Sequence, residues 1–162
     1  MEAPVSTPFW GLPGTNIPLP GQEYSPRDNT LFAVAREEMV SRKFDWLNQS
    51  FFVCLCDSTV TFDPEQLTPW SNAQEVSVIL RVGPLANKGI AGGYCSANDI
   101  SLTGITTQRD IGAFVLMRRQ SPDGAPDIPV VLFRRIYGAP VSLKNEDLVM
   151  RWDRSFGGIF RP

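Results

Sequence analysis

Gly112-Ala-Phe-Val-Leu-Met-Arg118 and Pro129-Val-Val-Leu-Phe-Arg-Arg-Ile136, joined through Ser121-Pro-Asp-Gly-Ala-Pro126, decide the fold class of this 162-residue chain. Both runs are short, apolar and rich in β-formers. The segment between them holds the prolines and the glycine of a turn, so the pair reads as a β-hairpin with a long tip. Working outward, Ser50–Cys56 (Ser-Phe-Phe-Val-Cys-Leu-Cys), Ile100–Ile105 and Leu143–Trp152 read as further strands, and Gly158–Phe160 as a short last one; Gln74–Val82, with Val76, Val78 and Leu80 in alternation, favours a strand and leaves a helix open. Ser58–Trp70 carries Pro64 and Pro69 and reads as a long loop. Gly83–Gly93 has four glycines and a proline and reads as a turn-rich link, with Gly92-Gly93 reversing the backbone. Several strands separated by glycine and proline turns predict a mainly β protein with an antiparallel β-sandwich-like domain.

One helix is expected, over about residues 28–47. Asp28 or Asn29 would cap it, and Leu31, Phe32, Ala35, Met39, Val40 and Phe44 follow the three-to-four spacing of an apolar face. Ahead of it, residues 1–27 form a separate region, an extended arm. Six of the fourteen prolines fall there (Pro4, Pro8, Pro13, Pro18, Pro20 and Pro26), so neither a helix nor a central strand can run through it. The arm also carries Phe9, Trp10, Leu12, Ile17 and Leu19, more apolar bulk than a solvated tail holds. An apolar segment that cannot fold alone should lie on a protein surface, its own domain's or, the favoured reading, a neighbouring subunit's. Pro8, Phe9, Trp10, Leu12, Ile17 and Leu19 are thus the expected protein-binding residues. The two regions expected are residues 1–27 and a β-rich domain over 28–162.

Composition narrows the function. Net charge is −2, a poor match for affinity built on neutralising phosphates, so no direct nucleic-acid binding is expected. No run of about 18 apolar residues predicts a membrane span, and Met1-Glu-Ala-Pro4 has neither the basic nor the apolar part of a signal peptide. Synthesis in a reducing cytoplasm is the expectation. Three cysteines (Cys54, Cys56 and Cys95) make a poor disulfide framework; Cys54 and Cys56 can share a strand face and read as buried core residues.

The chain has no histidine, which removes the Ser/His/Asp and Cys/His nucleophile pairs and leaves a metal site short of ligands. Asp57, Asp63 and Glu65 cluster after the cysteine strand and read as solvated loop acids rather than an acid–base pair. No enzyme activity, metal or other cofactor is expected. Arginine outnumbers lysine 12 to 3, and its planar fork suits interface ion pairs. Arg118 and Arg119 near the hairpin tip, and Arg134 and Arg135 away from it, are the candidate interface charges. Solvated edge charges that block stray strand pairing are the plainer reading.

A resemblance rests on a series of short matches. Phe44-Asp-Trp-Leu-Asn-Gln leads into a strand ending Cys-Leu-Cys-Asp-Ser, then Phe62-Asp-Pro. Asp110-Ile-Gly-Ala-Phe-Val-Leu, Pro129-Val-Val-Leu-Phe and Gly138-Ala-Pro-Val follow. Leu148-Val-Met-Arg-Trp-Asp and Gly158-Ile-Phe close the series. Over about residues 35–161 this resembles small virion structural proteins of tailed bacteriophages, with cysteines where aliphatic residues are usual. The resemblance implies a protein of the virion, assembled in the host cytoplasm. The expected role is a capsid decoration or cement protein whose partners are the major capsid protein, other virion proteins and further copies of itself. A tail, neck or baseplate adaptor is the first alternative. A carbohydrate-binding β-sandwich aiding adsorption is the second, and it requires an exposed aromatic row such as Trp70 and Tyr94.

Overall fold

The computed structural model describes residues 8–11, 29–57, 62–120, 125–133, 142–152 and 159–160. The order is β1 (Pro8–Gly11), β2 (Asn29–Leu31), α1 (Ala33–Val40), β3 (Phe51–Asp57), α2 (Asn72–Val76), β4 (Val78–Val82), β5 (Gly89–Ala91), β6 (Tyr94–Ser96), β7 (Ile100–Ile105), β8 (Ile111–Arg118), β9 (Ile128–Phe133) and β10 (Glu146–Trp152). The strands form a five-stranded sheet β2-β9-β8-β3-β4, a three-stranded sheet β1-β10-β7 and a hairpin β5-β6, all antiparallel. The protein is mainly β, with two helices among the described residues where the sequence led us to expect one.

The middle of the large sheet explains the apolar run from which β3 is built. Phe51, Val53 and Leu55 point to one face and Phe52, Cys54 and Cys56 to the other, as the two-residue period of a strand requires. Both faces are covered. The first joins Phe114 and Leu116 of β8, Val131 of β9 and Val82 of β4 in one buried cluster. Leu148 of β10, Cys95 of β6, Trp46 and Phe160 belong to it too, and Ile100, Leu102 and Ile105 of β7 pack against it. The second face joins Ala113, Val115, Met117, Ile128 and Leu132 with Phe32, Val34, Phe62 and Trp70. A strand apolar on both sides loses the polar alternation of a half-solvated one, and every residue of β3 is buried.

β8 and β9 pair as the expected hairpin, from Phe114↔Phe133 to Arg118↔Ile128. β9 is described only as far as Phe133, so the expected extension to Ile136 lies outside the described residues. The strand expected over Gln74–Val82 is split. Ser71 accepts from the Gln74 amide at 3.1 Å while the Gln74 side chain accepts from the Ser71 amide at 2.9 Å, a reciprocal cap that starts α2. Only Val78–Val82 is then left for β4. The Gly83–Gly93 link holds β5, and Gly92 and Gly93 take φ of 59° and 83°, the left-handed pair that closes a two-residue hairpin onto β6. At the C-terminal end, Phe160 bridges to Cys95.

The helix over 28–47 shrinks to α1. Residues 29–31 instead pair with β9, with Leu31 opposite Val131. The Phe32 amide continues that contact, donating to the Val130 carbonyl at 2.9 Å. No side chain caps α1, so the expected Asp28 or Asn29 cap is replaced. The Ala33 and Val34 amides donate to the carbonyls of Pro64 and Gln66 at 2.7 and 3.1 Å. A loop from elsewhere in the chain thus satisfies the orphan donors of the first turn. Arg42, at φ 61°, breaks the helix from the other end. Beyond it Asp45 holds a separate turn by accepting from the Asn48 amide at 3.2 Å.

Of the arm, Pro8–Gly11 is described. It forms the edge strand β1 on this chain's own β10, in the register Pro8↔Trp152, Phe9↔Arg151, Trp10↔Met150 and Gly11↔Val149. Within the single chain this part pairs with its own β10. An edge is where a sheet tolerates proline, because the missing N–H leaves no inner ladder bond unmade.

Candidate interaction surface

α1 and the loop that caps it leave a groove between them. The groove is open, about 600 Å³, and lined by Ala33, Arg36, Glu37, Val40, Ser41, Lys43 and Leu67. It arises because the 62–70 loop is pinned by its backbone to the start of α1 and by Phe62 and Trp70 to the sheet. Those two rings stack with centroids 5.8 Å apart and an interplanar angle of 18°. Leu67, between the two anchors, is pushed outward. Val40 is 86% exposed and Leu67 58%. Arg36 ties helix to loop across the groove, its Nη2 donating to both Glu65 carboxylate oxygens at 3.1 and 2.9 Å. The surface is thus two large apolar side chains beside charges of both signs. Val40 was expected on the buried helix face; the early end of α1 turns it to solvent.

The expected interface charges separate. Arg118 is inside the fold. Its side chain is 9% exposed, and it holds Glu38 of α1 with Nε to Oε2 at 3.0 Å and a second bond from Nη2 to Oε1. Arg119 is exposed at the surface, with its guanidinium 5.1 Å from the Phe52 ring centroid. Arg134 and Arg135 lie outside the described residues, as do Leu12, Ile17 and Leu19 of the arm; Pro8, Phe9 and Trp10 lie in β1.

The acids also separate. Asp57 is buried rather than solvated, and Arg109 donates to it from Nη1 at 2.6 Å. The same guanidinium donates to the carbonyls of Val76 and Val78 at 2.9 and 3.0 Å, so it clips the end of β3 to α2 and β4. Asp63 accepts from the Glu65 amide at 3.0 Å, turning the loop, while Glu65 faces Arg36. Among the described residues no three His, Cys, Asp or Glu side chains are grouped to hold a metal ion. The three cysteines are buried free thiols. Burial pushes Cys56 and Cys95 up to about 12 and Cys54 higher still, which keeps them protonated and unreactive in the fold.

Trp70 is 6% exposed and presents no face to a sugar. Trp46 is also buried, donating from Nε1 to the Ser96 carbonyl at 3.0 Å.

No family model matches this chain, and no curated protein or solved structure proves similar to it. Among the described residues no helix is long and apolar enough to cross a membrane.

Proposed function

We propose that this chain is a non-enzymatic structural protein of a bacteriophage particle. In this reading it is a capsid decoration or cement protein that binds the shell and neighbouring copies of itself. The observation that carries the reading is the α1 groove. Val40 and Leu67 both line this groove and are exposed, and Arg36, Glu37 and Lys43 line it with them, an apolar pair beside charges such as a partner could recognise. The internal engagement of Asp57 by Arg109, and of Glu38 by Arg118, supports the same reading, since these ionisable groups serve the fold.

The two larger sheets contribute to one apolar cluster, and we read them as the layers of an antiparallel β-sandwich. Such a body is rigid enough to present the groove in fixed geometry. The phage setting is inferred from the sequence matches quoted above, and with it the virion location and the major capsid protein as partner.

Quantitative mass spectrometry of purified particles of the encoding virus tests the proposal. A copy number that scales with the shell protein is expected. A copy number fitting a single ring selects the tail, neck or baseplate adaptor instead, and a chain missing from particles refutes the reading.

A further inference from the structure

From β1 and the edge it occupies, we infer that this strand is exchanged between copies, so that Pro8–Gly11 of one chain pairs with β10 of its neighbour. The inference rests on the assembly role proposed above and gives that role a specific contact. β1 is four residues long and stands at the edge of its sheet, with β10 as its strand partner. Between Gly11 and Asn29 run residues 12–28, seventeen positions that include Pro13, Pro18, Pro20 and Pro26. Fully extended, seventeen residues reach about 55–60 Å. A domain of this size has a radius of gyration of only about 14 Å. The connection can therefore carry β1 to a neighbour's β10 as well as to its own.

The partner is a second copy because every copy carries both halves of the contact. Exchange preserves the register Pro8↔Trp152 to Gly11↔Val149 pair for pair, so the closed and exchanged forms differ only in connection entropy and concentration. A departed β1 leaves the edge of β10 open, and an open edge is a template on which a neighbour's β1 can pair in the same register. A tether of this length holds its strand at an effective concentration of about 1 mM. Dilute protein should therefore close on itself, and packed copies should exchange.

Cross-linking tests this. Two single variants, Trp10→Cys and Met150→Cys, are mixed and oxidised at about 10 µM and about 1 mM, bracketing the tether's own concentration. The double variant in one chain is oxidised at the lower concentration. The native thiols do not compete, since all three cysteines are fully buried. A disulfide-linked pair of unlike chains at the high concentration, together with an internal bond in the dilute double variant, is the expected result. An internal bond with no linked pair at either concentration overturns the exchange. A double variant that closes in neither way overturns the β1–β10 contact itself. Phe9→Cys with Arg151→Cys repeats the test one register position along, because adjacent antiparallel pairs alternate between wide and narrow spacing and either variant set alone could misfold. Particle incorporation of the unaltered chain is scored separately. Chains that join particles without linking keep the assembly role and lose the exchange; chains that link but never join particles lose the phage role.

Discussion

Removing Glu38 tests whether α1 is held to the sheet by charge. Arg118 lies on β8, 9% exposed, and its bidentate partner Glu38 is 15% exposed. Glu38→Ala leaves the guanidinium in place with water largely excluded and its acceptor gone. Breaking a buried pair from one side costs about 3–5 kcal/mol, because the surviving charge keeps its desolvation penalty. The residual exposure of both partners places this one near the lower end, about 3 kcal/mol. For a chain of this length each kcal/mol moves the melting temperature by about 2–4 °C, so a drop of about 6–12 °C is expected. Thermal unfolding followed by far-UV circular dichroism reads it. The double variant Glu38→Leu with Arg118→Met should recover most of the loss, since an apolar pair of similar size removes both the attraction and its desolvation cost. Glu37→Ala, on the exposed side of the same helix, should move the midpoint by no more than an ordinary surface change. The exposed pair Arg36–Glu65, at 45% and 72% exposure, should be worth about 1 kcal/mol or less. If Glu38→Ala melts within about 2 °C of the parent, or the double variant is no better than the single, the α1–β8 pair is not the fastening described here.

Three further outcomes follow from other contacts. Gly83→Ala should destabilise by about 2–4 kcal/mol in urea unfolding, because its Cβ would sit 2.7 Å from the Phe52 Cβ at a φ of +150°; Gly92→Ala, with nothing within 4 Å, should cost only its left-handed φ, about 1–2 kcal/mol. Alkaline pH should also weaken the fold. The unfolded thiols ionise near 9.0 while the buried ones stay protonated to about 12, so the native state binds more protons and stability falls as pH rises from about 9 towards 12. The loss should be on the order of 1 kcal/mol per pH unit for each thiol, and replacing Cys54, Cys56 and Cys95 by alanine should flatten this part of the pH profile of urea midpoints. Val40→Asp with Leu67→Asp should change the unfolding free energy read from urea denaturation by no more than about 1 kcal/mol, yet lower occupancy on particles; full occupancy would remove the groove from the binding surface.

The strands that read well were those whose own residues settle the matter. Gly112–Arg118 and Pro129 onward are β-formers bounded by turn residues, and Phe51–Cys56 is apolar at both parities; such patterns survive whatever packs on them. The errors came where distant chain decided. Residues 29–31 look like a helix start, but β9 offers them a ladder, and Pro64 and Gln66 cap a helix four residues later than the local signals place it. α2 was legible in principle, since Ser71-Asn-Ala-Gln74 is a reciprocal cap pattern, but Val76, Val78 and Leu80 pulled the reading towards a strand. Side-chain fates were the least legible part. Arg118 and Arg119 are neighbours of one type, yet Arg118, the last residue of β8, reaches Glu38 in the interior while Arg119, just past the strand, lies at the surface. Leu67 becomes a surface feature only because Phe62 and Trp70 anchor the loop on either side of it.

The pairing of β1 with β10 also has a timetable. β1 is made before its partner β10, which ends at Trp152. At about 5–20 residues per second, residue 152 follows residue 11 by about 7–28 s. Throughout that interval each nascent chain carries the β1 segment without the β10 edge that would receive it. On one messenger read by several ribosomes, an older chain offers a completed β10 before the younger one does. Under the exchange inferred above, the order of synthesis gives a neighbour's β10 the first opportunity to take the strand.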